Sequence, residues 1–243
     1  MAPGVVLLDD GGVMNDNKLR QAQWYRLVGE FFVPILGGTH AAWAEANRIV
    51  IEHLLDQATW AALLDAATNY AHFERMYYRV WLGDMCALVG VPAPPEPQCF
   101  ELAAAAEDFV TRRVHSAYPG VVEAIRTLQA QGYALHTASG ESSATLAGYL
   151  DAMGIRDCFG RLYGPDLIDT FKDGPRYYER LIADLGVSPG NTLVVDDNPR
   201  ALNWAAQAGA HTLLVGSRPD EGSTRQIQSL ADLPAIIHTL SRH

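Results

Sequence analysis

Two pairs of adjacent aspartates each follow a short apolar run in the sequence. They are Asp9 and Asp10, after residues 5–8, and Asp196 and Asp197, after residues 192–195. Short continuous apolar runs rich in β-branched residues are typical of buried parallel strands. Because ligands bind outside the carboxyl ends of parallel strands, we expect these carboxylates to meet at one edge of a sheet.

A hydroxyl and an ammonium group are expected at the same edge. Ser139, followed by Gly140, comes after a predicted strand at 133–138, and Lys172 lies in the loop before a predicted helix at 175–185. Transfer of a phosphoryl group needs a nucleophile, a positioned donor and a cation that offsets the phosphate charge. A carboxylate can be the nucleophile, and Mg²⁺ held by the other carboxylates would remove its repulsion from phosphate.

These segments resemble, in order, the four sequence motifs of the haloacid dehalogenase (HAD) superfamily. The similar segments are 5–13, 132–139, Lys172 and 192–198. The resemblance implies that Asp9 is the nucleophile, that Lys172 is catalytic, and that Ser139 and Gly140 bind the phosphate. It also implies a substrate contact from the backbone N–H groups of Gly12 and its neighbours. Mg²⁺ would be held by four residues, which are Asp9, Gly11 through its carbonyl, Asp196 and Asp197.

Gly11 departs from the pattern of the family's phosphatases, which usually have a second aspartate there as general acid and base. Asp10 does not replace it, because successive side chains of an extended strand end face opposite ways. Losing such a group typically costs about 10²–10⁴ in rate. Three outcomes stay open: a substrate with a good leaving group, a poor enzyme, or a proton supplied from the helical insert by His40, His72 or Glu74.

Two alternatives to a phosphatase also follow from Gly11. Members of the family that are 2-haloacid dehalogenases also lack the second aspartate, and they need no metal because their carboxylate displaces halide from carbon. The acidic pair Asp196 and Asp197 argues for a metal and against this alternative. The second alternative is a catalytically silent protein that keeps the fold as a binding module.

The distribution of strands and helices predicts an α/β fold with a doubly wound, Rossmann-like parallel sheet. Strands alternate with helices after residue 113, as in crossover units. Residues 16–113 instead show helical spacing, with four or five helices and essentially no strand. We therefore expect a core domain of residues 1–15 and 114–243 and an inserted all-helical cap domain of residues 16–113. The resemblance implies a cap that excludes water and selects the substrate.

Composition narrows the class of partner. The 243 residues include 18 Lys+Arg and 28 Asp+Glu, a net charge of −10, which disfavours nucleic acid. We expect a small phosphorylated metabolite as the substrate and a monomer or homodimer. No apolar run is long enough for a signal peptide or membrane span. Three cysteines without CxxC spacing indicate reduced thiols, so we expect a soluble cytoplasmic protein.

Overall fold

The computed structural model describes residues 4–216 and 225–239, and it divides the chain into two compact units. The divisions fall after Asn17 and after Val114. The described residues outside these two points form what we call the core unit. Those between them, from Lys18 to Val114, form the helical unit.

The core unit is built around a six-stranded sheet in which all neighbouring strands are parallel. Its strands are β1 (Val5–Leu8), β2 (Ala134–Ala138), β3 (Phe159–Tyr163), β4 (Thr192–Asp196), β5 (His211–Val215) and β6 (Gln226–Ile227). The strand order is β3-β2-β1-β4-β5-β6, so the direction of winding reverses between β1 and β4. This topology confirms the predicted α/β class and its doubly wound parallel sheet.

Both faces of the sheet are covered by helices. In β1, Val6 and Leu8 belong to one hydrophobic core, whereas Val5 and Leu7 belong to the other. Burial on both faces explains why these strands read as continuous apolar runs instead of alternating ones. The helices of this unit are α6 (Val121–Ala130), α7 (Ser143–Ala152), α8 (Pro165–Ile168), α9 (Pro175–Leu185), α10 (Pro199–Gln207) and α11 (Leu233–Ile236).

The helical unit has five helices, which agrees with the predicted four or five. They are α1 (Asn17–Leu36, which begins at the last residue of the core unit), α2 (His40–Leu54), α3 (Gln57–Ala66), α4 (Tyr70–Val89) and α5 (Gln98–Thr111). Aromatic rings fill its interior, where Trp43 stacks on Phe32 with ring centroids 4.7 Å apart. Among the described residues, none of the helices has an apolar stretch of the length that a bilayer span requires.

Short elements are where the sequence-based prediction and the structure differ. Neither α8 nor β6 was predicted, because four residues and two residues are too few to show a hydrophobic period. The predicted last helix, 233–240, is observed as α11 followed by a 3₁₀ turn at Ile237–Thr239. The predicted polar loop at 217–223 lies outside the described residues.

Gly164, between β3 and α8, gives a test of this packing. A Cβ atom there would lie 2.0 Å from the backbone oxygen of Glu141, in the loop that follows Ser139. We expect Gly164→Ala to lower the free energy of unfolding by about 1–3 kcal/mol, the usual cost of overpacking. Gly190→Ala is the matched control, because a Cβ there meets nothing within 4 Å. Equal unfolding free energies of the two variants in urea would contradict the packing described here.

Candidate active site

The candidate site lies at the carboxyl ends of β1 and β4. Leu8, the last residue of β1, pairs with Val195 of β4 and with Thr137 of β2. The next residue, Asp9, donates its N–H to the Val195 carbonyl at 3.0 Å, and Asp196 follows Val195 directly. Because the strand order reverses between β1 and β4, this is the crevice in which open α/β sheets bind ligands.

Lys172 joins two of the predicted carboxylates. Its Nζ lies 3.0 Å from Asp9 Oδ1 and 2.7 Å from Asp196 Oδ2, and its side chain is 10% exposed. Burial by itself would lower the pKa of this ammonium, but the charges of Asp9 and Asp196 outweigh burial and raise the pKa above its ordinary value. Lys172 is therefore a fixed positive charge between the two carboxylates.

Asp196 is fully buried, and both of its carboxylate oxygens have partners. Oδ1 accepts a hydrogen bond from the Asn198 N–H at 2.9 Å, and Oδ2 faces the Lys172 ammonium. Burial and the charge of Asp9 raise the pKa of Asp196 to about 6, although Lys172 opposes the shift. The ionised form of this carboxylate is thus held at a cost, which a second cation would reduce.

Asp197 is the exposed member of the cluster, and it lies directly against Gly12. A Cβ atom on Gly12 would be 2.0 Å from Asp197 Oδ2, so only a glycine leaves room for this carboxylate. Gly12 also has a φ of +80°, in the left-handed region that favours glycine. Partial burial and the charge of Asp9 raise the pKa of Asp197.

The donor set fits a divalent cation. Asp9, Asp196 and Asp197 each offer a carboxylate oxygen, and these oxygens lie within 4.8 Å of one another. Three carboxylates and the Lys172 ammonium carry a formal charge of −3 + 1 = −2. Hard oxygen donors with this excess of negative charge are what Mg²⁺ binds in proteins. Both oxygens of Asp196 already face partners, Asn198 and Lys172, whereas Lys172 contacts Asp9 at Oδ1, so Asp9 and Asp197 are the carboxylates best placed to hold the ion.

Ser139 lies at the end of β2, two residues after Thr137, and its side chain is buried. Its N–H donates to the Tyr163 carbonyl at 3.1 Å, and its Oγ accepts from the Glu141 N–H at 3.3 Å. The hydroxyl proton is not used in that bond. Gly140 is exposed, and a Cβ there would meet nothing within 4 Å. Phosphate binding by these two residues stays a prediction.

The hydrogen bonding of the turn after Asp9 contradicts one prediction. The Gly12 N–H donates to the Asn15 carbonyl at 2.9 Å, so this amide is not available to bind substrate, contrary to the sequence-based expectation. What Gly12 provides is space for the Asp197 carboxylate. Metal binding by the Gly11 carbonyl stays a prediction.

Two tyrosines of α9 belong to the site, and sequence reasoning missed them. The Tyr177 hydroxyl donates to the carbonyls of Ser139 (2.9 Å) and Tyr163 (3.2 Å). The Tyr178 hydroxyl is buried near Asp196, and burial followed by that carboxylate's charge raises its pKa, so the phenol stays neutral. The sequence signal for these tyrosines was their position, five and six residues after Lys172, on the buried side of the helix that follows the Lys172 loop.

The residues proposed as replacement acids are all in the helical unit. His40 is the first residue of α2, and His72 and Glu74 are in the first turns of α4. The Nδ1 atom of His72 lies 3.3 Å from both the N and the Oγ1 of Thr68, so that ring nitrogen has local partners. A role for any of the three as an acid stays a prediction.

Comparison with known proteins gives consistent results at the level of family. The family model of haloacid dehalogenase-like hydrolases matches residues 22–209. "Probable phosphatase IndB" of Dickeya dadantii (strain 3937) is 33% identical over 92 residues, which are 38% of this chain and 40% of IndB. "(S)-2-haloacid dehalogenase 1" of Pseudomonas sp. (strain CBS-3) is 27% identical over 133 residues, 52% of this chain and 59% of that protein. The chain therefore spans less than two thirds of the length of either relative.

Solved structures share the fold over nearly all of the chain. The crystal structure of the defluorinating L-2-haloacid dehalogenase Rha0230 superposes with a TM-score of 0.68. The alignment covers 96% of this chain and 94% of that one, at 19% sequence identity. At this identity the likeness concerns the fold and does not decide between the two activities that the sequence relatives carry.

Substitution of Gly12 tests the contact between the turn and Asp197. We expect Gly12→Ala to lower the free energy of unfolding by more than Gly132→Ala does. Both glycines have positive φ, so each alanine costs about 1–2 kcal/mol in backbone strain. A Cβ on Gly132 meets nothing within 4 Å, so the clash with Asp197 is an additional cost at Gly12 only. Denaturation in urea measures both, and equal losses would exclude the contact.

Proposed function

We propose that this chain, which belongs to the haloacid dehalogenase-like hydrolase family, is a Mg²⁺-dependent phosphatase of a small phosphorylated metabolite. The observation that carries the proposal is the cluster of Asp9, Asp196 and Asp197 around Lys172. A displacement of halide from carbon by Asp9 needs no second or third carboxylate. Transfer of a dianionic phosphoryl group beside Asp9 needs cationic charge, and the two further carboxylates are ligands for it.

Asp9 is the proposed nucleophile. Lys172 contacts its Oδ1 and keeps the carboxylate oriented at the strand end. One carboxylate oxygen forms a bond to phosphorus while the bond from phosphorus to the leaving oxygen breaks, which gives an aspartyl-phosphate. A water molecule then attacks that phosphorus, inorganic phosphate leaves, and the Asp9 carboxylate is regenerated.

The other residues of the site are proposed to bind the phosphate oxygens and the metal ion. Lys172 and the Ser139 hydroxyl are proposed to bind the equatorial oxygens of the transferring group. Asp9, Asp197 and Asp196 would hold Mg²⁺, with the Gly11 carbonyl as a further ligand. When bound, Mg²⁺ supplies Lewis-acid charge that offsets the repulsion between a carboxylate and a phosphate.

The lack of a carboxyl side chain at Gly11 restricts the kind of substrate that we propose. This glycine offers no side chain where a general acid would act, and the Asp10 carboxylate is buried against Asn15. The proposed substrate is therefore one whose leaving group needs little protonation, such as an anomeric sugar phosphate, unless the helical unit supplies the acid.

We further propose that the helical unit acts as the cap that excludes water and selects the substrate. What supports this is its place in the chain, since the unit is inserted between β1, which precedes the proposed nucleophile, and β2. A cytoplasmic location is proposed from the three free cysteines, Cys86, Cys99 and Cys158. The proposed state in solution is a monomer or a homodimer.

A 2-haloacid dehalogenase is the second candidate. Two observations favour it: the 27% identical relative named (S)-2-haloacid dehalogenase 1, and the absence of a carboxylate at Gly11. The two activities differ in their need for metal, because displacement of halide from carbon by a carboxylate does not require one. Chloride release from 2-chloropropionate in the presence of EDTA would support this candidate over the phosphatase.

Replacing the nucleophile tests the proposed reaction. We expect Asp9→Asn to lower kcat for p-nitrophenyl phosphate in Mg²⁺ by at least about 10³-fold, because an amide does not form the phosphorylated intermediate. Asp157→Asn, which changes an exposed carboxylate, is the control and should keep wild-type turnover. EDTA should also stop phosphate release by the wild type.

The same assay separates the silent binding protein from the enzyme. The panel to use contains sugar phosphates, nucleotides and phosphoglycolate-like acids. If wild type and Asp9→Asn are equally inert over this panel with Mg²⁺, the phosphatase proposal is wrong; if 2-chloropropionate also gives no chloride, the silent binding module is favoured.

Restoring a carboxyl group at Gly11 tests the leaving-group argument. We expect Gly11→Asp to raise kcat for alkyl phosphates by up to about 10²-fold, because the new group protonates the departing alkoxide. Turnover of p-nitrophenyl phosphate should change little, since nitrophenolate leaves without a proton. Gly11→Asn is the matched control. An equal gain from Asn would show that space or polarity, and not acidity, limits the rate.

A further inference from the structure

We propose that Asp10 is a positioning residue, whose buried carboxylate fixes the turn after Asp9 through Asn15 and Ser116. The inference rests on the proposed function only in what the turn positions, which is the nucleophile. Neither Asp10 nor its two partners belongs to the carboxylate cluster of Asp9, Asp196 and Asp197.

All three side chains are removed from solvent. Asp10 is 0% exposed, Asn15 is 1% exposed and Ser116 is 0% exposed. Burying a carboxylate is costly unless hydrogen bonds compensate for the lost water. An apolar side chain at this position would avoid that cost. The presence of a carboxylate therefore indicates that the turn requires a hydrogen-bond acceptor here.

The hydrogen bonds run in one direction. The Asn15 Nδ2 donates to Asp10 Oδ1 at 2.7 Å, and the Ser116 Oγ donates to Asn15 Oδ1 at 2.7 Å. A carboxylate accepts and does not donate, so the nitrogen of the Asn15 amide must face Asp10 and its oxygen must face Ser116. The three groups thus form a directed relay, and we refer to them below as the Asp10 relay.

The backbone closes the same turn from the other side. The Met14 and Asn15 N–H groups donate to the Asp10 carbonyl at 2.8 and 2.9 Å, and the Gly12 N–H donates back to the Asn15 carbonyl. Gly12 is the residue that lies against the Asp197 carboxylate. The relay therefore sets the position of a turn that has Asp9 at one end and contacts Asp197 in its middle.

Ser116 links the turn after Asp9 to the second of the two chain segments that connect the core unit with the helical unit. It is 101 residues from Asn15 in sequence, next to the point where the chain returns to the core unit. Asn15 and Ala117 form an antiparallel bridge, the Asp16 N–H donates to the Ser116 carbonyl at 2.7 Å, and the Tyr118 N–H donates to the Met14 carbonyl at 3.0 Å. Both connecting segments are thus hydrogen-bonded, directly or through Asn15, to Asp10, the residue that follows the nucleophile.

The Asp10 relay would change the rate of turnover by positioning Asp9, without contact to the substrate. A displacement of the reacting carboxylate by about 1 Å can cost up to about 10²-fold in rate, even when the altered residue is remote from the chemistry. Loss of the Ser116 hydroxyl leaves the Asn15 amide with one unpaired acceptor, which loosens the turn while the phosphate-binding groups keep their places.

The test combines amide hydrogen exchange with kinetics. We expect Ser116→Ala to speed exchange at least about tenfold in a peptide covering residues 10–15 and to leave exchange in β4 unchanged. For p-nitrophenyl phosphate with Mg²⁺, kcat should fall about 10–100-fold and KM should stay within about twofold. Thr192→Val is the matched control, since it removes another buried hydroxyl, bonded to the Ser188 carbonyl, at the opposite end of β4.

A second pair of variants tests Asp10 itself. Asp10→Asn keeps an acceptor oxygen for the Asn15 amide, so its kcat and its exchange should stay closer to wild type than those of Asp10→Ala. If Asp10→Ala does not fold, Ser116→Ala and Asp10→Asn still give the comparison.

Two results would overturn the proposal. One is unchanged exchange over residues 10–15 in Ser116→Ala. The other is unchanged kcat in a loosened Ser116→Ala variant of an active wild type, because the turn would then not position Asp9. If the wild type hydrolyses no phosphate ester, the proposed function fails, and the exchange of Ser116→Ala alone decides whether the relay holds the turn.

Discussion

Repulsion among three carboxylates gathered within a few ångströms is the constraint on which this site depends. One ammonium, that of Lys172, lies between Asp9 and Asp196 and offsets part of the negative charge. Burial, followed by the charge of Asp9, raises the pKa of Asp196 from the ordinary 3.8 to about 6 in spite of Lys172. A site with this imbalance is suited to a bound divalent cation and an anionic substrate, which is the basis of the proposed phosphatase chemistry.

The fold holds these groups together by placing them on different strands and loops of one rigid sheet. Asp9 and the acidic pair leave the ends of adjacent strands in register, so their approach is set by backbone hydrogen bonds and not by flexible side chains. Lys172 reaches them from a loop that is followed by α9, whose Tyr177 fixes the Ser139 carbonyl. Gly12 allows the closest contact, because any other residue would occupy the space of Asp197.

Hydrophobic pattern was sufficient to predict the general architecture. The apolar runs before Asp9 and Asp196 are buried on both faces, and that double burial is what distinguishes a central parallel strand in sequence. Helical spacing predicted the four or five helices of the insert in the same way. The pattern failed for α8 and β6, which are too short to show a period, and for Tyr177 and Tyr178, which read as ordinary apolar positions of a helix.

The sequence by itself determined the class of fold, the family and the identity of the charged groups at the strand ends, because these depend on local residue type and order. Only the tertiary structure decided which oxygen faces which partner. It showed that Asp196 pairs with Lys172 while Asp197 is exposed, that the Gly12 N–H is already bonded, and that Asp10 is tied to Ser116. Such pairings join residues up to about a hundred positions apart, and their geometry is set by packing of the whole core unit, which no local pattern records.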